Sequence, residues 1–494
     1  MRAQLEFLLH KAMNYLESGN LGGSELLLKQ ILKKTPENSE AWRLLSVVAA
    51  KQEDYELALM RIEKSLLANK RNAIAHSNRG NILLSMGQLT ASIEAYKVAI
   101  KLEPNYAEVY SNLGNALQVM NDYQQAIDFY KRAIEIDHSN PEFIVNLGNA
   151  YSRLGLWWDA ITAYRSAIDW DPNNSKAHFY LSLAEFSLGN FYTGWAEYEW
   201  RWLSKEVNSP PLKTSKPAWD GQFFDGCLFI WSEQGIGDQI LHASILQDLT
   251  HFPQKKIISV EKKLLTIFKR SFPDYQFVDK NEHIPEHQYD YHLPLGSLGK
   301  FFRNSTESFK NNTAKNYLKP DKNLTESLKL SGPLGGRKLC GLSWKSSSIS
   351  VGRKKSMNLI ELVEILALKN IAFLNLQHGD NYSEVQAVEE ALSINIINAH
   401  EVDLYEEMDH VLSMIDACDI ILTTSNSTAH MAGALGKEVI LLLPYSVGKI
   451  WYWFDVDGMS LWYPSVTILK QEIQGDWSYP IRTAKALLEA KFAN

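Results

Sequence analysis

The sequence has few cysteines, no long apolar run and no strong excess of either charge. Its three cysteines, Cys227, Cys340 and Cys418, have a spacing that fits neither a disulfide framework nor a metal site. No apolar stretch approaches membrane-spanning length, and the first residues, MRAQLEFLLHKAMNYL, form an amphipathic pattern rather than a signal peptide. We therefore expect a cytoplasmic protein without a membrane span.

The composition is that of a globular protein. A net charge of -7 gives no reason to expect nucleic acid as a partner. Hydrophobic residues make up 45% and charged residues 22% of the chain, which is typical of a soluble fold. Because 494 residues are too many for one core, we expect two or three domains.

Six consecutive windows of 34 residues run from Leu5 to Asn208. Their eighth and twentieth positions are always small, as required where the two helices of one repeat approach closely. These positions are Ala12, Ser46, Gly80, Gly114, Gly148 and Ser182, and Ser24, Ala58, Ser92, Ala126, Ala160 and Gly194. The period and pattern resemble tetratricopeptide repeats and predict an α-solenoid over residues 1–208, with a concave face.

Three asparagines occupy one position of successive repeats, Asn78, Asn112 and Asn146. A side-chain amide can donate to and accept from a peptide bond, so the row could bind an extended acceptor chain. It resembles the asparagine ladder of O-linked N-acetylglucosamine transferase. The alternative is that asparagine is simply common at this position.

The sixth repeat is rich in aromatics over FYTGWAEYEWRW, which predicts that it packs onto the next domain. Three prolines, Pro210, Pro211 and Pro217, then indicate a linker over residues 209–221. Beyond it, strands alternate with helices in two series, which predicts α/β lobes over residues 222–335 and 336–494. SGPLGG reads as a hinge between the lobes, and we expect the last helix to cross back to the first lobe.

The stretch from Asp419 to Pro444 reads as buried strand, polar turn, helix and buried strand. In a parallel sheet the amino terminus of such a helix binds anions, since it has unpaired N–H groups and a partial positive charge. Ser427, Thr428 and His430 would then hold a diphosphate. The alternative is an ordinary strand–turn–helix with a hydrogen-bonded histidine.

The motifs together resemble the heptosyltransferase-like glycosyltransferases of family 9, in the bacterial subset with tetratricopeptide repeats in front. In chain order they are EYEWRW with PAWDG, EQGIGDQI, GLSWK, STAHMAGALGK, WYPSVTILKQ and GDW. The resemblance implies a GT-B fold of two doubly wound, Rossmann-like lobes. It also implies inverting transfer of a sugar from a nucleotide-sugar donor, with no metal and no other cofactor, to a protein or glycan acceptor recruited by the repeats.

In this family the aspartate that matches Asp238, in EQGIGD, is proposed as the general base. The alternative is an aspartate that caps the following helix. Gly235 and Gly237 would let the backbone approach the substrate closely.

Three further groups are candidates for the donor site. Lys345 follows the strand LCGLSW and would supply a charge to the diphosphate; the basic loop with Arg353, Lys354 and Lys355 ranks below it, because such loops are commonly just solvated. Gln377, at the end of IAFLNLQ, would meet the base or ribose.

The chain departs from the family pattern at Ser425 and Asn426, where many members have Asp-Thr, and at Tyr452, where they have arginine. These departures keep open the alternative of a tetratricopeptide scaffold for protein interactions that carries an inactive glycosyltransferase-like domain. A further alternative is a nucleotide-dependent epimerase with the same two-lobed fold, which would form its product without an acceptor.

Overall fold

The computed structural model describes residues 2–207, 209–310, 316–331, 336–348, 352–399 and 402–492. The chain forms two compact units that divide between Ala177 and His178. The first is all-helical, and the second is mixed α/β apart from the helices at its start. None of the described helices is long and apolar enough to cross a membrane.

Twelve α-helices follow one another in the described residues before the first strand, and α1 to α10 pack in consecutive pairs, as the repeat pattern predicts. Asn38, Asp54, Asn72, Asp122 and Asn140 each cap the following helix by accepting a hydrogen bond from a backbone N–H. The helices are α1 Arg2–Glu17, α2 Leu21–Lys34, α3 Ser39–Lys51, α4 Tyr55–Ala68, α5 Ala73–Ser85, α6 Leu89–Leu102, α7 Ala107–Val119, α8 Tyr123–Ile136, α9 Pro141–Arg153, α10 Trp157–Trp170, α11 Ser175–Ser187 and α12 Phe191–Tyr198.

In three of these helix pairs, the ring of a buried tyrosine packs against the glycine at the predicted small position. A Cβ at Gly114 would lie 2.6 Å from the ring of Tyr130, and that ring's hydroxyl donates to Asn115 Oδ1 over 2.6 Å. The same arrangement recurs one repeat earlier and one repeat later. It comprises Gly80, Tyr96 and Asn81, and Gly148, Tyr164 and Asn149.

The second unit contains a four-stranded parallel sheet with the order β3-β2-β1-β4. We call this sheet and its helices the first lobe. Its elements are β1 Cys227–Trp231, α13 Ile236–Ala243, β2 Lys255–Val260, α14 Leu265–Ser271, β3 Gln276–Asp279, β4 Tyr291–Pro294, α15 Gly299–Phe302 and α16 Thr306–Lys310, followed by α17 Lys322–Ser331.

The second lobe contains an eight-stranded sheet with the order β10-β11-β12-β9-β8-β5-β6-β7, of which β10 and β11 are antiparallel additions. Its six parallel strands have the order of a doubly wound dinucleotide-binding sheet, whose switch point lies between β5 and β8. Its elements are β5 Lys338–Ser343, α18 Val363–Leu366, β6 Ile371–Asn375, α19 Tyr382–Leu392, β7 Ile396–Asn398, α20 Met408–Ala417, β8 Ile420–Thr424, α21 Ser427–Leu435, β9 Val439–Leu443, β10 Asp455–Val456, β11 Met459–Ser460, β12 Val466–Lys470 and α22 Ser478–Lys491.

The last helix, α22, stays with the second lobe. Its buried residues Ile481, Ala484 and Leu488 belong to the core of the second sheet, and Lys491 pairs with Glu438 over 2.7 Å. The expectation that it crosses back is therefore wrong, because its apolar stripe is buried on its own lobe. Of the predicted hinge SGPLGG, residues 332–335 lie outside the described residues.

The aromatic segment of the sixth repeat packs onto the lobes, as predicted. Trp195 of α12 donates its indole N–H to the Arg303 carbonyl over 2.8 Å, and its ring lies 5.5 Å from that of Trp451. Both tryptophans belong to one buried cluster that includes residues of both sheets. The division between the compact units accordingly lies before the domain boundary predicted at residue 208.

We expect Gly114→Ala to lower the free energy of unfolding of the first unit by about 1–3 kcal/mol, because its methyl group would overlap the Tyr130 ring. Gly22→Ala is the matched control. Nothing lies within 4 Å of a Cβ at Gly22, so alanine there should stabilise α2 by about 0.5–1 kcal/mol. Urea unfolding measures both; equal effects would contradict the packing described.

Candidate functional site

The turn between β1 and α13 carries the predicted base. Gly235 is the N-cap residue of α13, so Asp238 lies inside the first turn and is not the capping residue of the alternative interpretation. Both elements lie in the first lobe, and the turn follows the carboxyl end of β1. This is the edge of a parallel sheet at which ligands bind.

Asp238 is half-buried, and burial raises the pKa of its carboxyl to about 6. The Lys355 ammonium of the second lobe opposes this rise. Burial also raises the pKa values of the Tyr452 and Tyr463 hydroxyls, and the Asp238 charge raises them further. A carboxylate from one lobe thus faces a cation and two phenols from the other.

Lys355 is buried, and burial lowers the pKa of its ammonium to about 8 while Asp238 opposes that change. Its Nζ lies 3.5 Å from Ser425 Oγ, directly after β8. Lys345, ranked above it from the sequence, instead pairs with Glu384 and lines an open pocket of about 460 Å³. The structure therefore places Lys355, and not Lys345, opposite Asp238.

Helix α21 begins at Ser427, where the sequence predicts an anion site. Its N-cap is Asn426, whose Oδ1 accepts from the Ala429 N–H over 3.3 Å. The Asn426 amide also donates to Ser343 Oγ over 2.8 Å and so ties this turn to the end of β5. Ser427 is half-buried and Thr428 is buried at the start of the helix.

His430 is buried beside the turn of the first lobe. Its Nδ1 lies 3.0 Å from the Tyr463 hydroxyl, and its ring stacks on Trp453 with a centroid distance of 4.8 Å. Burial lowers its pKa to about 3, so the ring is neutral at pH 7 and can offer a hydrogen bond but no charge. A Cβ at Gly237 would lie 2.9 Å from this ring. Gly237 therefore permits a close contact with His430, whatever its role toward a substrate.

Gln377 is buried, and its side-chain oxygen already accepts hydrogen bonds from the protein. Its Oε1 accepts from the N–H groups of Trp344 and Lys345, over 3.0 and 2.7 Å, and its amide donates to the His378 carbonyl. It borders a pocket of about 400 Å³ beyond the carboxyl ends of β6 and β7. These bonds orient the start of the loop after β5, while the predicted contact with a base or ribose stays a prediction.

Family models match the helical part of the chain. The model described as TPR repeat matches residues 80–121, and two described as tetratricopeptide repeat match residues 107–140 and residues 9–74 with 145–191. This chain contains tetratricopeptide repeats.

Two curated proteins are similar to the chain. Protein FlbA of Caulobacter vibrioides is 28% identical over 325 residues, which cover 61% of this chain and 53% of FlbA. The chain thus spans about half the length of that relative, and the match is too long to be confined to the repeats. Protein O-mannosyl-transferase TMTC1 of Mus musculus is 30% identical over 110 residues, covering 22% of this chain and 12% of TMTC1.

Two solved structures each resemble less than half of the chain. PilF of Pseudomonas aeruginosa is 18% identical, with a TM-score of 0.36, and covers 39% of this chain and 88% of its own. TTC0263, a TPR protein of Thermus thermophilus, is 18% identical, with a TM-score of 0.34, and covers 36% of this chain and 98% of its own. Scores this low support no inference about the α/β region.

The structure also brings together side chains that the sequence ranks low or does not single out. Lys355 lies within a run of three basic residues, and only its burial separates it from the exposed Arg353 and Lys354. The sequence marks Tyr452 only as a departure from the family pattern and carries no local signal for Tyr463. Among the described residues, no group of three or more His, Cys, Asp or Glu side chains is arranged to hold a metal ion.

We expect Asp238→Asn to stabilise the protein at pH 8. The folded-state pKa of about 6 lies above the ordinary value of 3.8, so the carboxylate's ionisation removes stability as pH rises through that interval. The variant should gain about 1–2 kcal/mol at pH 8 and little at pH 4.

Melting temperatures at both pH values measure this difference. Asp225→Asn, at an exposed position of the same lobe, is the control and should have the same effect at both. A loss of stability in Asp238→Asn at pH 8 would contradict the burial of an unfavourable charge.

Proposed function

We propose that the chain is an inverting, metal-independent glycosyltransferase with a GT-B fold, which moves a sugar from a nucleotide-sugar donor to an acceptor recruited by its repeats. The observation that carries this proposal is the approach of the Asp238 turn to the second lobe: a Cβ at Gly237 would lie 2.9 Å from the His430 ring, and the charges of Asp238 and Lys355 each oppose the other's pKa shift. Each stands beyond the carboxyl ends of parallel strands, where a nucleotide would bind. The name of TMTC1 ascribes mannosyl transfer to that protein and is consistent with a transferase here.

In this mechanism Asp238 acts as general base. A carboxylate with a pKa of about 6 is mostly ionised at pH 7 and is a better proton acceptor than an ordinary aspartate. As the acceptor oxygen bonds to the anomeric carbon of the sugar, its proton passes to Asp238. The bond from that carbon to the diphosphate oxygen breaks, and the nucleoside diphosphate leaves with inversion at the anomeric carbon.

The leaving diphosphate requires positive groups, which Lys355 and the amino terminus of α21 would supply. The backbone N–H groups near Ser427 and Thr428 would bind phosphate oxygens, and neutral His430 would add a hydrogen bond rather than a charge. Lys345 would contact the diphosphate only if its ion pair with Glu384 were broken. A Cβ at Gly235 would lie 3.6 Å from Asp238 Oδ2, so glycine there would leave room for the acceptor beside that carboxylate.

The concave face of the repeats would bind a protein or peptide acceptor. The Asn78 amide nitrogen is buried without a hydrogen-bond partner, whereas Asn146 is buried and donates weakly to Ser111 Oγ over 3.4 Å. Asn112, which lies between these two asparagines in the sequence, is half-buried. The unsatisfied Asn78 amide favours binding of another backbone, since an unpaired buried donor is costly.

Calorimetry with a panel of nucleoside diphosphates tests the donor site. We expect one of them to bind, with Lys355→Met weakening its affinity at least tenfold through loss of the buried cation. Lys369→Met, at an exposed position of the second lobe, should leave the affinity unchanged. Absence of binding by every nucleotide would favour the alternative function, a tetratricopeptide scaffold with an inactive domain.

The pH profile of sugar transfer tests the base. We expect kcat/KM to fall below pH about 6 as Asp238 becomes protonated. In Lys355→Met this acid limb should move to higher pH, because the lysine charge holds the pKa of Asp238 down. An acid limb that does not move, or full activity in Asp238→Asn, would exclude this assignment.

A further inference from the structure

A buried ion pair lies beneath the turn that carries Asp238. Arg201 belongs to the 3-10 helix Glu199–Trp202, directly after α12, and Glu233 lies two residues after β1. One Arg201 terminal nitrogen, Nη2, donates to both Glu233 carboxylate oxygens over 3.1 Å. Their side chains are 0% and 2% exposed, so the pair is removed from solvent almost completely.

The Arg201 guanidinium is fixed from several sides. Nη2 also donates to Ser297 Oγ over 2.8 Å, and Nη1 donates to Glu199 Oε1 over 3.0 Å and to the Tyr198 carbonyl over 3.1 Å. The rings of Tyr198 and Trp202 lie 4.3 and 4.2 Å from the guanidinium carbon. The cation therefore has one orientation, to which Glu233 must conform.

A second connection joins the same helical segment to the turn. The Gln234 amide donates to the Tyr198 hydroxyl over 2.5 Å, and the Gln239 amide donates to the Gln234 carbonyl over 2.8 Å. Gln239 follows Asp238 directly in α13. The consecutive residues Glu233 and Gln234, before α13, are thus bonded to Arg201 and Tyr198, and Gln239 of α13 is bonded to Gln234.

Stability alone is a poor reason for this arrangement. Burying two charges carries a large desolvation penalty, and apolar replacements of buried ion pairs are often neutral or stabilising. What the pair supplies is a defined geometry, because the contact of Nη2 with both Glu233 oxygens and its bond to Ser297 Oγ together restrict the position of the Glu233 side chain. That position determines the course of the backbone from β1 into α13.

We propose that Arg201 and Glu233 are positioning residues, which hold the β1–α13 turn so that Asp238 faces Lys355. The inference rests on the proposed function for its catalytic consequence. The segment after α12 then has a part in transfer, although it contributes no group to the substrate.

The test compares three full-length proteins with the wild type by hydrogen–deuterium exchange over residues 232–240. In the double variant Arg201→Met with Glu233→Leu, we expect these amides to exchange at least tenfold faster than in the wild type. The matched control is Arg303→Met with Asp248→Leu, which removes another buried arginine pair of the same lobe, formed over 2.8 Å. It should leave exchange in residues 232–240 unchanged. Glu233→Gln, which keeps the shape and removes the charge, should give an intermediate rate.

Kinetics supply the second measurement. We expect kcat to fall at least tenfold in the Arg201–Glu233 double variant while KM for the donor changes less than twofold, because the donor groups lie on the other lobe. Unchanged exchange in residues 232–240, or unchanged kcat in an active enzyme, would overturn the proposal. If the wild type transfers no sugar, the proposed function fails, whereas the exchange comparison still decides whether the pair holds the turn.

Discussion

The candidate site depends on one apolar contact, the aromatic core that joins α12 to both lobes. Trp195, Trp451 and Trp462 pack edge to face, and their cluster continues into both sheets. Aromatic pairs have directional preferences, so this core fixes orientation as well as burying area. Because α22 is confined to the second lobe, this aromatic packing and the direct contact of α13 with α21 bring the segments with Asp238 and Lys355 together.

That core has an electrostatic consequence. Asp238, Lys355 and His430 all have pKa values shifted toward the neutral form, and in each case burial is the largest cause. Three groups shifted in this way in one place are characteristic of functional sites, where charge is costly until a ligand compensates it. In the proposed mechanism, the same burial that weakens the folded state would prepare a base and a cation for a charged substrate.

The sequence predicted those features that depend on local periodicity. Small residues such as Gly114, spaced by 34 residues, identify paired helices, and the run Ile420–Thr424 followed by polar residues identifies a strand and the start of a helix. Such local patterns do not predict which distant segments of the chain contact each other. Nothing local distinguishes Lys355 from its basic neighbours, and the apolar stripe of α22 predicts burial without naming the partner surface.

The packing of α12 into the α/β core limits where the array can gain repeats during evolution. Repeat arrays lengthen by duplication when the terminal helix presents a polar face that any new neighbour can replace. Here the last helix of the series presents Phe191, Trp195 and Tyr198 to the lobes instead. A duplicated repeat could be accommodated upstream, among α1 to α10, but one inserted after α12 would separate Arg201 from its turn. Added repeats are therefore compatible with the amino-terminal part of the array and not with its junction to the α/β region.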